Sequence, residues 1–195
     1  MKKEKLFILT LFLLASSLGA ATPINKSQQQ NQKPTVQKQD DDDDEPKSEA
    51  EKVGRKEAEQ KACGLKEIDY SVRTDKSQHP TPEPPADKAI VYVIRPTLIG
   101  QKIQTKLAVD GEWKGANRGN NYFFFTLEPG EHHFCADAEN RSLLSLKVEA
   151  GKTYYLQQKI KAGFIKARTK LVQLDDEEGK KGLAKCHLSI AEEKK

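Results

Sequence analysis

A chain of 195 residues, 36% hydrophobic and 32% charged with a formal net charge of +4, has room for one ordinary domain. The basic excess is mild and unclustered, so an evenly solvated surface is expected and no nucleic-acid partner. Apolar residues are nearly absent between the first 21 positions and Cys63 and dense over 88–174, which places the folded part from about Cys63 onward.

The N-terminus opens with Lys2, Lys3 and Lys5, continues with the apolar run Leu6–Leu14 broken only by Thr10, and exits through Ala15-Ser16-Ser17-Leu18-Gly19-Ala20-Ala21. A basic segment, a short apolar segment and small residues in that order predict a signal peptide over residues 1–21, cleaved after Ala21, with Ala20 as the alternative. The apolar run is shorter than the roughly 20 residues that cross a bilayer core, so no stable membrane span is expected once it is removed. The expected location is exported, periplasmic or extracellular.

Residues 22–62 are mostly Gln, Lys, Asp, Glu and Asn, with Pro23, Pro34 and Pro46. That composition cannot bury enough apolar surface to offset chain entropy and predicts a disordered charged linker. Asp40–Glu45 is an unbroken acidic run without the spaced ligands and turn glycine of a calcium loop, and reads as a spacer. Over 48–62 a weak surface helix is predicted, its stripe only Ala50, Val53, Ala58 and Ala62.

The remainder reads as strands. Ile68–Arg73 is an edge-strand candidate, and Pro80, Pro82, Pro84 and Pro85 make a stiff extended connector. Ala89–Ile94 is a continuous β-branched run suited to a strand buried on both faces. Ile103, Thr105, Leu107 and Val109 alternate with Gln104, Lys106 and Ala108, which puts Lys106 on the solvent side, and Asp110-Gly111 before Glu112-Trp113 signals a hairpin. Phe123, Phe125 and Leu127 share a face, and Glu128–Glu131 turns the chain into His132–Ala136. Leu144, Leu146 and Val148 make another apolar face, followed after Gly151 by Tyr154, Leu156 and Ile160. Asp175–Leu183 has the acids-first, lysines-last order of a short helix. Residues 63–190 are therefore expected to form an all-β sandwich of about seven to eight strands with a short C-terminal helix, and 191–195 a charged tail.

The phrases Ala89–Pro96, Val109-Asp110-Gly111, Tyr122-Phe123, Leu127–His132 and Glu149–Tyr155 resemble, in order and spacing, a bacterial family of exported proteins known as domain of unknown function 2846. More distantly they are similar to surface-layer-related sandwich modules. The resemblance implies an immunoglobulin-like β-sandwich and an envelope setting, and it implies no activity. Many members look lipid-anchored, whereas the small residues directly after the apolar run here include no lipid-attachment cysteine.

Three cysteines, Cys63, Cys135 and Cys186, leave one bridge and one thiol in an oxidising compartment. Cys63 with Cys186 would tie both ends of the domain together and is the pairing expected. A bridge from Cys135 to one of the others stays open, because Phe134 should face the core and put Cys135 beside His133 on the opposite face. His132 and His133 point opposite ways on a strand and cannot share a metal. No catalytic, cofactor or metal set is legible; Gly115–Gly119 lacks the lysine of a phosphate loop. Trp113, Arg118, Asn120, Asn121 and Tyr122 concentrate aromatic and amide groups and are the candidate interaction loop. The expectation is an exported, non-enzymatic envelope binding or scaffold module whose partner is an envelope protein or glycan. The alternative is a secreted hydrolase or redox-active protein using Cys135 or a His.

Overall fold

In the computed structural model the described residues are 48–97, 99–161 and 168–195. The signal segment with its cut after Ala21, the linker up to residue 47 and the run Asp40–Glu45 lie outside them. Within the described residues there are ten strands and two helices: α1 (Glu49–Cys63), β1 (Tyr70–Asp75), β2 (Ala89–Arg95), β3 (Thr105–Val109), β4 (Glu112–Asn117), β5 (Asn121–Leu127), β6 (Gly130–Asp137), β7 (Arg141–Val148), β8 (Thr153–Lys161), β9 (Arg168–Leu174), α2 (Asp176–Leu183) and β10 (His187–Glu193).

The strands form a six-stranded sheet, β1-β10-β5-β2-β8-β9, and a four-stranded sheet, β4-β3-β6-β7. Between them Val91, Val93, Leu107, Val109, Phe134, Leu156 and Leu171, each at most 2% exposed, build the main core. β2 lies inside the larger sheet and is buried along its whole length, as its continuous apolar run requires. Pairing is mixed: β2–β8 and β5–β10 run parallel, the other pairs antiparallel. The expectation of seven to eight strands is corrected to ten among the described residues, because neither β9 nor β10 shows a clean apolar–polar alternation. The expected tail 191–195 is corrected as well, since β10 runs to Glu193 and pairs with β1 along its length.

The β3–β4 hairpin turns on Asp110 and Gly111, with φ of 51° and 85°, the left-handed pair that an Asp-Gly step adopts at little cost. By contrast, Arg118–Asn120 and Glu128–Pro129 each carry the chain from one sheet to the other. Strand directions divide the sandwich into an Asp110 end and an Arg95 end. At the Arg95 end β2, β4, β6 and β8 finish and β5, β9 and β10 begin.

Both outer faces are partly covered. α2 starts on its N-cap Asp175, whose carboxylate accepts the Glu178 N–H at 2.8 Å, and lies over Ile90, Tyr92, Ile94 and Tyr155. Its glycines set the approach: a Cβ on Gly179 would stand 2.2 Å from Tyr155 Cγ and one on Gly182 2.6 Å from Ile94 Cδ1. The proline connector crosses the same face, where Tyr92 and Tyr122 donate to the carbonyls of Pro82 and Pro80 at 2.7 and 2.9 Å. α1 has a complete capping box, Ser48 with Glu51, and i,i+4 support from Arg55 and Glu59. Only Ala62 and Cys63 of α1 are buried, and Val53 of the predicted stripe is 55% exposed. Part of the stretch expected to be linker is thus a helix whose last turn belongs to the domain.

Candidate functional site

The chemistry-bearing side chains of the smaller sheet gather near the Asp110 end. On β6 the side chains alternate, Phe134 into the core and His133 with Cys135 to the α1 side, as the strand period dictates. Cys135 is completely buried there and is bridged to Cys63, the last residue of α1, with a Cα separation of 5.1 Å. The Cys63–Cys186 pairing is corrected: Cys186 is a free thiol, 2% exposed, under the α2 layer on the outer face of the larger sheet. The whole sandwich separates it from Cys63, which the sequence order alone does not reveal. Burial pushes the Cys186 thiol up to about 11, against smaller opposing effects of the Arg95 N–H and Lys185. A thiol so held is a weak nucleophile.

Asp110 is the hub beside the bridge. Its Oδ2 lies 2.6 Å from His132 Nδ1 and its Oδ1 accepts the His133 backbone N–H at 2.8 Å. Burial raises its carboxyl pKa, but these N–H donors and the nearby imidazoles outweigh it and hold the group below its usual value. The other nitrogen of His132 lies 2.8 Å from the Glu128 carbonyl. On the facing strand Ser145 pairs in register with His133, and its Oγ is 2.8 Å from His133 Nδ1. A relay for nucleophilic attack needs the carboxylate and the hydroxyl on the two nitrogens of one imidazole. Here Asp110 serves the ring of His132 and Ser145 serves the ring of His133, so the parts stand side by side without forming one chain.

Around α1 an ion cluster closes the outer face of the smaller sheet. Lys106 Nζ sits 2.9 Å from Asp137, 3.2 Å from Glu67 and 4.7 Å from the centre of the Trp113 ring. Arg141 pairs with Glu67 and reaches Glu59 of α1 at 3.8 Å. Lys106, expected on the solvent side, does point outward but is only 14% exposed at its side chain, because the Glu67 segment, Asp137 and the Trp113 ring surround it. Burial opposes its charge, yet Asp137 and Glu67 raise its pKa overall.

The five residues of the candidate loop are divided by the structure. Trp113 is half-buried and donates its indole N–H to the Lys66 carbonyl at 2.6 Å. Asn121 is buried and bonded to Thr74, its amide donating at 2.9 Å. Tyr122 is fully buried beneath the proline connector, with His79 at 4.9 Å from its ring and its phenol pushed up to about 12 by burial. Only Arg118 is exposed, with Asn120 half-exposed at φ 59° in the sheet-crossing turn. The five therefore do not make one recognition surface. Aromatic and amide groups near a glycine turn suited the fold instead, since a crossing between sheets needs buried anchors on either side.

Sequence reasoning missed Arg95. It is completely buried at the core's polar end, where its guanidinium donates to the carbonyls of Ile103 and Gly100 and to Thr105. Among the described residues no carboxylate pairs with it, and burial pulls it down to about 10. It organises the segment 100–105 from inside. The signal was an arginine ending an otherwise apolar central strand. Among the described residues no three His, Cys, Asp or Glu side chains gather as a metal set, and no helix is long and apolar enough to cross a membrane.

Comparison with known proteins supports the resemblance. The model of a family described as "Protein of unknown function (DUF2846)" matches residues 85–171, from the end of the proline connector through the first residues of β9. An uncharacterized protein of Haemophilus influenzae is 30% identical over 102 residues, which are 52% of this chain and 61% of that protein. The match thus spans less than two thirds of the relative's length.

Proposed function

With residues 85–171 a domain of the DUF2846 family, we propose that the protein is an exported, non-enzymatic binding or scaffold module of a bacterial envelope. The observation that carries this reading is the Cys63–Cys135 bridge. A buried disulfide closing a long loop forms and persists in an oxidising compartment and is rare where thioredoxin and glutathione keep thiols reduced. The basic and apolar N-terminal segment is the matching export signal. The binding role rests on how the reactive groups are used: the Cys135 sulfur is in a bridge, the Cys186 thiol is raised by burial, and among the described residues the carboxylate beside the Ser145–His133 pair, Asp110, bonds the ring of His132 and not that of His133. In layering, the two facing sheets suit an immunoglobulin-like kinship, with the parallel pairs as this chain's own variation.

Cell fractionation tests the proposal. The protein is expected outside the cytoplasm, oxidised at Cys63 and Cys135, with an intact mass that lacks residues 1–21. Recovery from the cytoplasm with all three thiols reduced would overturn the exported reading. Turnover of ester or amide substrates that disappears in Ser145→Ala or His133→Ala would overturn the non-enzymatic one.

A further inference from the structure

The connector between β1 and β2 is confined by its own sequence. From His79 to Pro85 every residue is a proline or precedes one. Proline holds φ near about −65° and pushes the residue before it out of the helical region, so the run is kept extended, in the polyproline range. Pro80, Pro82, Pro84 and Pro85 have no N–H to offer, and among the described residues no backbone hydrogen bond joins 78–84 to either sheet. Side chains of the sheet beneath hold the segment instead. Tyr122 and Tyr92 donate their phenols to the alternate carbonyls of Pro80 and Pro82, at 2.9 and 2.7 Å. His79 lies against the Tyr122 ring, and Pro80 and Pro84 are half-buried while Thr81, Pro82, Glu83 and Pro85 stay exposed.

The face that receives it is a row of rings. In register, Tyr92 of β2 stands opposite Phe124 of β5 and Tyr155 of β8, with ring centroids 5.5 Å away in each case. Tyr122, the next residue of β5 on that face, has its ring 6.5 Å from that of Tyr92. Alternate carbonyls of a polyproline helix, rising about 3.1 Å per residue, are about 6 Å apart, so two phenols at this spacing read two of them in one conformation. Aromatic rings with a hydroxyl at the rim suit proline, whose ring is apolar and whose chain is already ordered, so little entropy is lost on docking. Burial pushes the Tyr92 and Tyr122 phenols up to about 12, which keeps both as donors at neutral pH. The rings lie on β2, β5 and β8, inside the matched residues 85–171, whereas Pro80, Pro82 and Pro84 come before them. The face belongs to the family domain and its proline cover to the segment in front.

We infer that the tyrosine face of the larger sheet is a binding site for proline-rich extended segments, and that the chain's own connector occupies it as a tethered stand-in which a partner's proline-rich segment displaces. The seated connector shows the chemistry of the occupant: prolines against rings and alternate carbonyls on two phenols. Its hold is light, because two neutral hydrogen bonds, one ring contact and two half-buried prolines replace a backbone ladder. The tether raises its effective concentration to roughly the millimolar range, so a free peptide competes poorly until the connector is loosened. The inference needs neither the exported location nor the absence of catalysis, so it stands or falls apart from the proposed function.

The test titrates a fluorescently labelled peptide with the sequence of residues 78–86 into the full chain and into a variant whose residues 79–85 are replaced by alternating glycine and serine. The variant should bind the peptide at least about tenfold more tightly than the parent, since nothing competes. In that background Tyr92→Phe with Tyr122→Phe keeps the rings, removes both donors and should weaken binding about tenfold. A peptide with alanine in place of its prolines should bind far more weakly than the proline peptide. Circular dichroism follows the fold of each variant. If the glycine–serine variant is unfolded, Pro80→Ala/Pro84→Ala is titrated in its place and should still bind more tightly than the parent. A folded variant that gains no affinity over the parent, or that binds alanine and proline peptides alike, would overturn the inference. So would a dimer of the parent that Tyr92→Phe/Tyr122→Phe abolishes, which would give the face to a second copy.

Discussion

Asp110 shows how much one side chain can hold at a turn. Its φ of 51° is a left-handed conformation that Asp and Asn tolerate better than most residues, and its carboxylate joins the hairpin to His132 and to the backbone of β6. Because its folded pKa is lowered, its contribution is present above the unfolded carboxylate pKa and is lost as pH falls through the folded value. Asp110→Asn keeps the turn geometry and removes the charge. Melting temperature followed from neutral pH down to about pH 2 should therefore show a shallower acid limb for the variant than for the parent. Cys186 makes a second residue-scale prediction: a thiol reagent should find essentially no free sulfhydryl in the native protein and one per chain in denaturant, since the thiol is buried and its pKa raised. At this scale the sequence was a good guide to strand faces, placing Phe134 inward and Cys135 outward. It was a poor guide to exposure, because Cys135 is covered by the end of α1 and Lys106 by the Glu67 segment and Trp113. Outward on a strand means solvent only where no second layer lies above.

Among the elements, α2 was legible from Asp175 and the order of its charges, but its two glycines were not. Inside an exposed helix, replacing Gly by Ala gains about 1 kcal/mol. Here Gly179→Ala would drive a methyl into the Tyr155 ring, and Gly182→Ala one into Ile94. Both should destabilise, Gly179→Ala more, by about 1–3 kcal/mol in denaturant unfolding, the usual cost of overpacking. A gain from Gly179→Ala would mean that α2 does not sit on the sheet this closely. β9 and β10 were not read as strands for a related reason. β9 opens with Arg168, Thr169 and Lys170 and does not alternate over its apolar Leu171 and Val172, and β10 has only Leu188, Ile190 and Ala191 as apolar members. Their partners stabilise them: β9 pairs with β8 over seven residues and β10 with β1 over six.

For the whole molecule the bridge decides how α1 is held. The helix buries only its last two residues, and Cys63–Cys135 closes a span of 72 residues. In the chain-entropy account such a loop is worth about 4 kcal/mol, so Cys63→Ser/Cys135→Ser should lower unfolding free energy by about that much. The same variant should free α1 for limited proteolysis while the main core stays resistant, because that core draws nothing from the helix. What the sequence by itself determined is the period of each segment: alternation for strands, acids before lysines for α2, Asp-Gly for the hairpin, and a signal-like N-terminus. These are local, since backbone geometry couples neighbours in the chain. Which cysteine meets Cys63, which outward faces are roofed, and which tyrosines line one face depend on register and sheet order. Those are chosen by contacts across the whole domain, and only the tertiary structure decided them.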